Sequence, residues 1–184
     1  MNQRVSLIVM GLVLIFFLGS AKPISFLNET NTIIINQIKI EILGNSTVGK
    51  YTCSNTLAYR DTIFLNSAFK NSLKSEIIMD NFDCGNRIMN KDMKTTIKVS
   101  KFPKSTVSIT NIKPSAGNYK CNLTFKITDK TLTYSNLILK NNLQSLDGVV
   151  AVNFSDIGLE PPTKMGGMIK VKDEFVIHFI LYKQ

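Results

Sequence analysis

The chain has 184 residues, with 22 Lys and Arg against 13 Asp and Glu, one His, three Cys and no Trp, for a formal charge of +9. One histidine and cysteines in no CxxC pair leave out the usual Cys/His metal set, and GxSxG, HExxH and Gly-rich phosphate-loop patterns are absent. No catalytic residue, metal ligand or cofactor is therefore expected. The lysines stand singly (Lys50, Lys70, Lys74, Lys91, Lys94), without a basic run or interleaved aromatics, which argues for a solvated basic surface and against a nucleic-acid partner.

Residues 1–21 carry one charge, Arg4, then an apolar run from Val5 to Leu18 and small residues at Gly19 and Ala21. This pattern predicts a signal peptide cut after Ala21, being too short for a membrane span of about 20 apolar residues. Residues 22–184 are expected to form one domain in the periplasm or a secreted protein. Period-two alternation then dominates. "IKIEILG" and "TVGKYTC" read as strands joined at Asn45-Ser46, and "DTIFLN" and "SEIIMDNF" as further short strands. In "RIMNKDMKTTIKV" the apolar Met89, Met93 and Ile97 recur every four residues, predicting a short amphipathic helix that closes one end or side of the domain and stops before Pro103.

Strands resume at "STVSITNI", with Val107 and Ile109 on one face. After Gly117, Tyr119, Cys121, Leu123, Phe125 and Ile127 alternate with Lys120, Asn122, Thr124 and Lys126, and "TLTYSNLILK" pairs back through a turn at Asp129-Lys130. "GVVAVNFS" places Val150, Val152 and Phe154 on one face. The last strand does the same for Ile169, Val171, Phe175, Ile177, Phe179 and Leu181, with His178 as an ordinary strand histidine. So many short antiparallel strands imply a sandwich or a barrel.

Three cysteines in an exported chain allow one bridge and leave one thiol. Tyr119 two positions before Cys121, with Cys53 upstream, has the spacing of an immunoglobulin-like adhesion or interaction domain. Against it stand the missing Trp, the helix among the strands, and the long chain that follows Cys121. Cys121 also sits inside an apolar stripe, where a free thiol behaves as a small hydrophobe.

Three segments in order resemble YceI-like proteins. In "IMNKDMKTTIKVSKFPKSTVSITNIK" a helix ending at Phe102-Pro103 leads into a strand; "GNYKCNLTFKITDKTLTYSNLILK" is similar to the hairpin that follows; and "VNFSDIGLEPPTKMGGMIKVKDEFVIHFIL" resembles the last third, with Asp156, Gly158 and Val171 to Glu174 its most specific part. The front half, "LGNSTVGKYTC" with "FDCGNRIMNKD", is similar to a branch carrying extra cysteines, which implies a Cys53–Cys84 bridge and a free Cys121. The resemblance implies an all-β, lipocalin-like antiparallel barrel of about eight strands with one short helix. It also implies an exported barrel whose interior holds a polyisoprenoid or other long apolar molecule. With no catalytic set in the sequence, carrying or sequestering that molecule is the expected activity, not catalysis, and transient contact with a membrane surface is expected.

In such a barrel the apolar faces of the strands point inward. Val107, Ile109, Tyr119, Leu123, Phe125, Val150, Val152, Phe175, Ile177 and Phe179 are therefore the expected ligand-lining residues.

Overall fold

Nine β-strands and one α-helix organise residues 31–68 and 70–184, the part of the chain that the computed structural model describes. The expected signal peptide lies outside the described residues. The strands are β1 (Thr32–Ser46), β2 (Gly49–Phe64), β3 (Ser72–Ile78), β4 (Lys104–Ser115), β5 (Asn118–Ile127), β6 (Lys130–Asn141), β7 (Ser145–Asn153), β8 (Thr163–Lys164) and β9 (Ile169–Lys183). The helix, α1, spans Arg87–Thr96. Eight strands follow the order β2-β1-β9-β7-β6-β5-β4-β3, every pair antiparallel, and the two-residue β8 pairs with β9. The sheet curls into the expected nearly closed barrel.

Alternation sets which side chains enter it. On β9, Phe175, Ile177, Phe179 and Leu181 are buried while Val176, His178 and Ile180 are half-buried on the outer face. Two asparagines shift that phase. Asn111, at φ 54°, forms a bulge in β4, so that Ile112 follows Val107 and Ile109 into the interior. Asn136, at φ 58°, does the same in β6, carrying the inward face from Leu132 and Tyr134 to Leu137 and Leu139. Asparagine tolerates this left-handed backbone better than most residues. The Asn71 side chain then serves Ile112 as a strand partner would, accepting from its N–H at 2.7 Å and donating to its carbonyl at 2.8 Å.

Two turns fall elsewhere than expected. The β1–β2 turn is Thr47-Val48, not Asn45-Ser46, because Gly49 at φ 134° supplies the backbone that closes the Ser46–Gly49 pair. The β5–β6 turn is Thr128-Asp129, not Asp129-Lys130. Thr128 lies at φ 57°, and its hydroxyl donates to the Ile157 carbonyl at 2.8 Å, tying that turn to the segment after β7.

The barrel wall has two seams. Between β2 and β3 the ladder is replaced by a Ser54–Asp83 bridge, by the Asn55 amide donating to the Ile78 carbonyl at 2.9 Å, and by the Tyr59 hydroxyl donating to the Lys74 carbonyl at 3.1 Å. Between β6 and β7 only Lys140–Asp147 and Asn141–Leu146 pair, and the Tyr134 hydroxyl reaches the Ala151 carbonyl at 3.0 Å.

Cys53 is bonded to Cys84 across the first seam, and Cys121 is a free, buried thiol in β5. The immunoglobulin alternative is thereby corrected: the Tyr119-x-Cys121 spacing belongs to a barrel strand with four more strands after it, and no bridge joins Cys53 to Cys121. Burial pushes the Cys121 thiol up to about 12, so it remains a neutral hydrophobe.

Candidate functional site: an apolar cavity beneath the helix

The two ends of the barrel differ. One is made by the start of β1, the end of β2, the start of β3 and the ends of β4, β6 and β9, and there Ile35, Ile63, Leu73, Ile112, Leu139 and Leu181 are fully buried against one another. The other end is roofed by α1 and encloses a cavity of about 340 Å³.

The helix is placed by short-range chemistry. Asn86 caps it, its side-chain oxygen accepting from the Met89 N–H at 2.9 Å. Asn90 then anchors the first turn. Its oxygen accepts from the Cys84 N–H at 2.6 Å and its amide donates to the Asp83 carboxylate at 3.0 Å. The Asn90 amide, with the Gly85 N–H, holds the Asp83 carboxyl below its ordinary range. The Cys53–Cys84 disulfide fastens this end of the helix to β2. Farther along, Lys94 pairs with Asp80 at 2.9 Å, and Asp92 pairs with Lys164 of β8 at 2.7 Å across the cavity mouth.

Met89 and Met93 face inward over the cavity and Ile97 is buried, as the four-residue spacing predicts. The opposite walls are Ile42 and Tyr51 of the β1–β2 hairpin, Phe154 and Ile157 after β7, and Val171 and Phe175 of β9. Phe154 and Phe175 pack at 4.9 Å between ring centroids with an interplanar angle of 56°, a tilted pair that stiffens one wall. The Tyr51 ring lies where a side chain on Gly44 would be, so a larger residue there would have to displace the ring. Burial raises the pKa of the Tyr51 phenol. The charged lining residues are Lys50, Asp92 and Lys164.

Of the ten residues predicted to line a ligand site, Phe175 lines this cavity. Phe125, Ile177 and Phe179 surround a separate void of about 30 Å³ beneath it, which shares Ile42 and Ile127 as walls with the larger space. Val107, Ile109, Leu123, Val150 and Val152 are buried in the core away from the cavity, and Tyr119 is half-buried near the packed end. Residues absent from that set, among them Ile42, Met93, Ile157 and Val171, make most of the wall. The signal for them was the helix itself, since the strand ends that meet it must line whatever it covers.

The single histidine lies outside the cavity, on the outer face of β9, with Nδ1 3.3 Å from Glu41 and Nε2 3.7 Å from Asp147. A hydrogen bond from Lys39 is the main cause that lowers the Glu41 pKa. Among the described residues no group of three or more His, Cys, Asp or Glu is placed to hold a metal ion.

The sequence matches no protein-family model and no curated protein. Solved structures do share the fold. BcnA of Burkholderia cenocepacia is 15% identical, with a TM-score of 0.56 over 80% of this chain and 96% of that one. A polyisoprenoid binding domain from Saccharophagus degradans, implicated in plant cell wall breakdown, is 10% identical, with a TM-score of 0.56 over 84% of this chain and 98% of that one. The barrel fold that the sequence resemblance implies is thus shared with these solved structures.

Proposed function

We propose that this protein is an exported lipid-binding barrel that carries or sequesters a polyisoprenoid or another long apolar molecule, holding one end of it in the cavity beneath α1. The observation that carries the reading is the cavity itself: an apolar space of about 340 Å³, open at the barrel mouth, with its charges confined to Lys50, Asp92 and Lys164. Pockets for small organic ligands begin at about 300 Å³. Scaling from a cavity of about 150 Å³ that holds benzene, this one accommodates about fourteen carbon atoms. A longer chain would keep its remainder outside, because the opposite end of the barrel is filled by side chains.

Burying about fourteen carbons at about 0.8 kcal/mol each gives a gross gain of about 11 kcal/mol. Association costs of at least about 4 kcal/mol leave at most about 7 kcal/mol, an affinity no tighter than on the order of ten micromolar. Likeness of fold to a polyisoprenoid binding domain supports the ligand class. The Cys53–Cys84 disulfide supports export, since such bonds persist in oxidising compartments. No conversion of the ligand is invoked, only its holding.

Native mass spectrometry of protein purified from its own host, followed by solvent extraction, tests the reading. An apolar molecule should travel with the protein, and farnesol should bind the emptied form. Ile42→Trp fills the cavity and should abolish both while leaving the fold intact. Protein that carries nothing and binds no farnesol would contradict the proposal.

A further inference from the structure

We infer that the cavity mouth is a docking surface for an anionic membrane, an inference that rests on the carrier reading above. Four of the five most exposed large apolar side chains in the described residues stand at this mouth: Val48 at 71%, Ile88 at 76%, Met165 at 68% and Met168 at 66%. The fifth, Leu143, lies in the β6–β7 connection at the packed end. Less exposed apolar residues are scattered along β1, β3, β6 and β7.

The four belong together. Val48 and Ile88 both line the cavity. The Met168 carbonyl accepts from the Thr47 hydroxyl at 2.9 Å, which sets Met168 beside the turn that carries Val48. Lys164, next to Met165, pairs with Asp92, one helical turn beyond Ile88 on the same side of α1. Met165, Gly166 and Gly167 all have left-handed backbone, at φ 50°, 62° and 97°, and Met165 holds this conformation with its side chain in solvent. A methionine there gains nothing from the core.

Charge selects the partner. Lys50 lines the mouth, and Lys170 passes its stem over Gly167. Arg87 and Lys91 flank Ile88 on α1, both exposed. The acidic lining residue, Asp92, is neutralised by Lys164. Apolar tips surrounded by cations match an anionic lipid surface, where the tips enter the acyl boundary and the cations meet headgroups. The position also fits the task. An apolar chain that leaves a bilayer through a mouth seated on it never crosses water.

Co-sedimentation with vesicles of phosphatidylcholine, alone or mixed with phosphatidylglycerol, tests the docking. The full protein should pellet with the mixed vesicles, less with phosphatidylcholine alone, and should be released by salt. The double variant Met165→Glu, Met168→Glu should weaken vesicle binding roughly tenfold or more. Neither methionine lines the cavity and both are exposed, so the fold and farnesol binding in vesicle-free solution should be unchanged. Wild-type protein that ignores the mixed vesicles, a double variant that binds them as well as wild type, or a dimer lost in that variant without vesicle binding would each overturn the inference. Retained vesicle binding with no farnesol binding would instead contradict the carrier reading and leave the docking surface standing.

Discussion

At the packed end of the barrel, Ile35, Ile63, Leu73, Ile112, Leu139 and Leu146 leave no solvent-exposed surface; at the helix end, β1, β2 and β9, with α1 and the segment after β7, surround a cavity of about 340 Å³. Both ends are built from the same alternation, so composition of the strands does not separate them. Backbone geometry does. Register shifts in β1 between Ile35 and Gln37, in β4 at Asn111 and in β6 at Asn136 bend these strands over the packed end. Only one further shift lies at the helix end, between Gly44 and Ser46. There a helix bridges the opening instead of converging side chains. A filled core and an open cavity thus coexist in one barrel because one end is closed by strands and the other by the fastened helix.

The contrast predicts unequal responses to truncation. Leu73→Ala at the packed end should cost about 2 to 5 kcal/mol, as a fully buried leucine does. Met93→Ala removes a half-buried side chain that already faces open space, and should cost less than about 1.5 kcal/mol. Urea denaturation of both variants checks this, and equal losses would erase the distinction between the ends.

Removing the fastening comes next in size. Replacing Cys53 and Cys84 together by Ala opens a loop of 31 positions, worth about 3 to 4 kcal/mol in the chain-entropy model. Hydrogen exchange should rise first in α1 and at the Ser54–Asp83 bridge. Uniform exchange throughout the barrel would mean that the helix is not separately held.

A smaller effect is expected from Gly44→Val, which must displace the Tyr51 ring. Overpacking of this kind costs about 1 to 3 kcal/mol, and the ring has the cavity to move into. Farnesol affinity should fall more than stability does. Isothermal titration beside thermal melting separates the two.

The smallest effect is a shift in pH response. Burial lifts Cys121 from 9.0 to about 12 and Tyr59 from 10.0 to about 12. Both folded values are raised, so the stability these groups contribute is complete below their ordinary values and is lost as pH rises toward 12. Wild-type protein should begin to weaken near pH 9, whereas Cys121→Val should hold until near pH 10, where the Tyr59 contribution starts to go. Coincident alkaline melting curves would place water beside Cys121.

Much of the wall was legible because alternation reports which way a side chain points. Phe175, Ile177, Phe179 and Leu181 are inward in the structure for the reason that the sequence shows, and Met89, Met93 and Ile97 mark the helix face equally well. Height along the barrel axis was not legible. Val107 and Phe175 share an inward direction, yet one sits in solid core and the other on the cavity, and only closure of the barrel reveals which strand ends meet beneath α1. The bulges at Asn111 and Asn136 were hidden for a related reason: a single residue of left-handed backbone changes the phase of everything after it without disturbing the local composition.

Methyl NMR of the emptied protein titrated with farnesol tests most directly whether one end receives the ligand. The account predicts shifts at the methyls of Ile42, Met89, Met93 and Ile157, with Leu73, Leu139 and Leu146 unmoved. Shifts centred on the second set, or none at saturating farnesol, would contradict it.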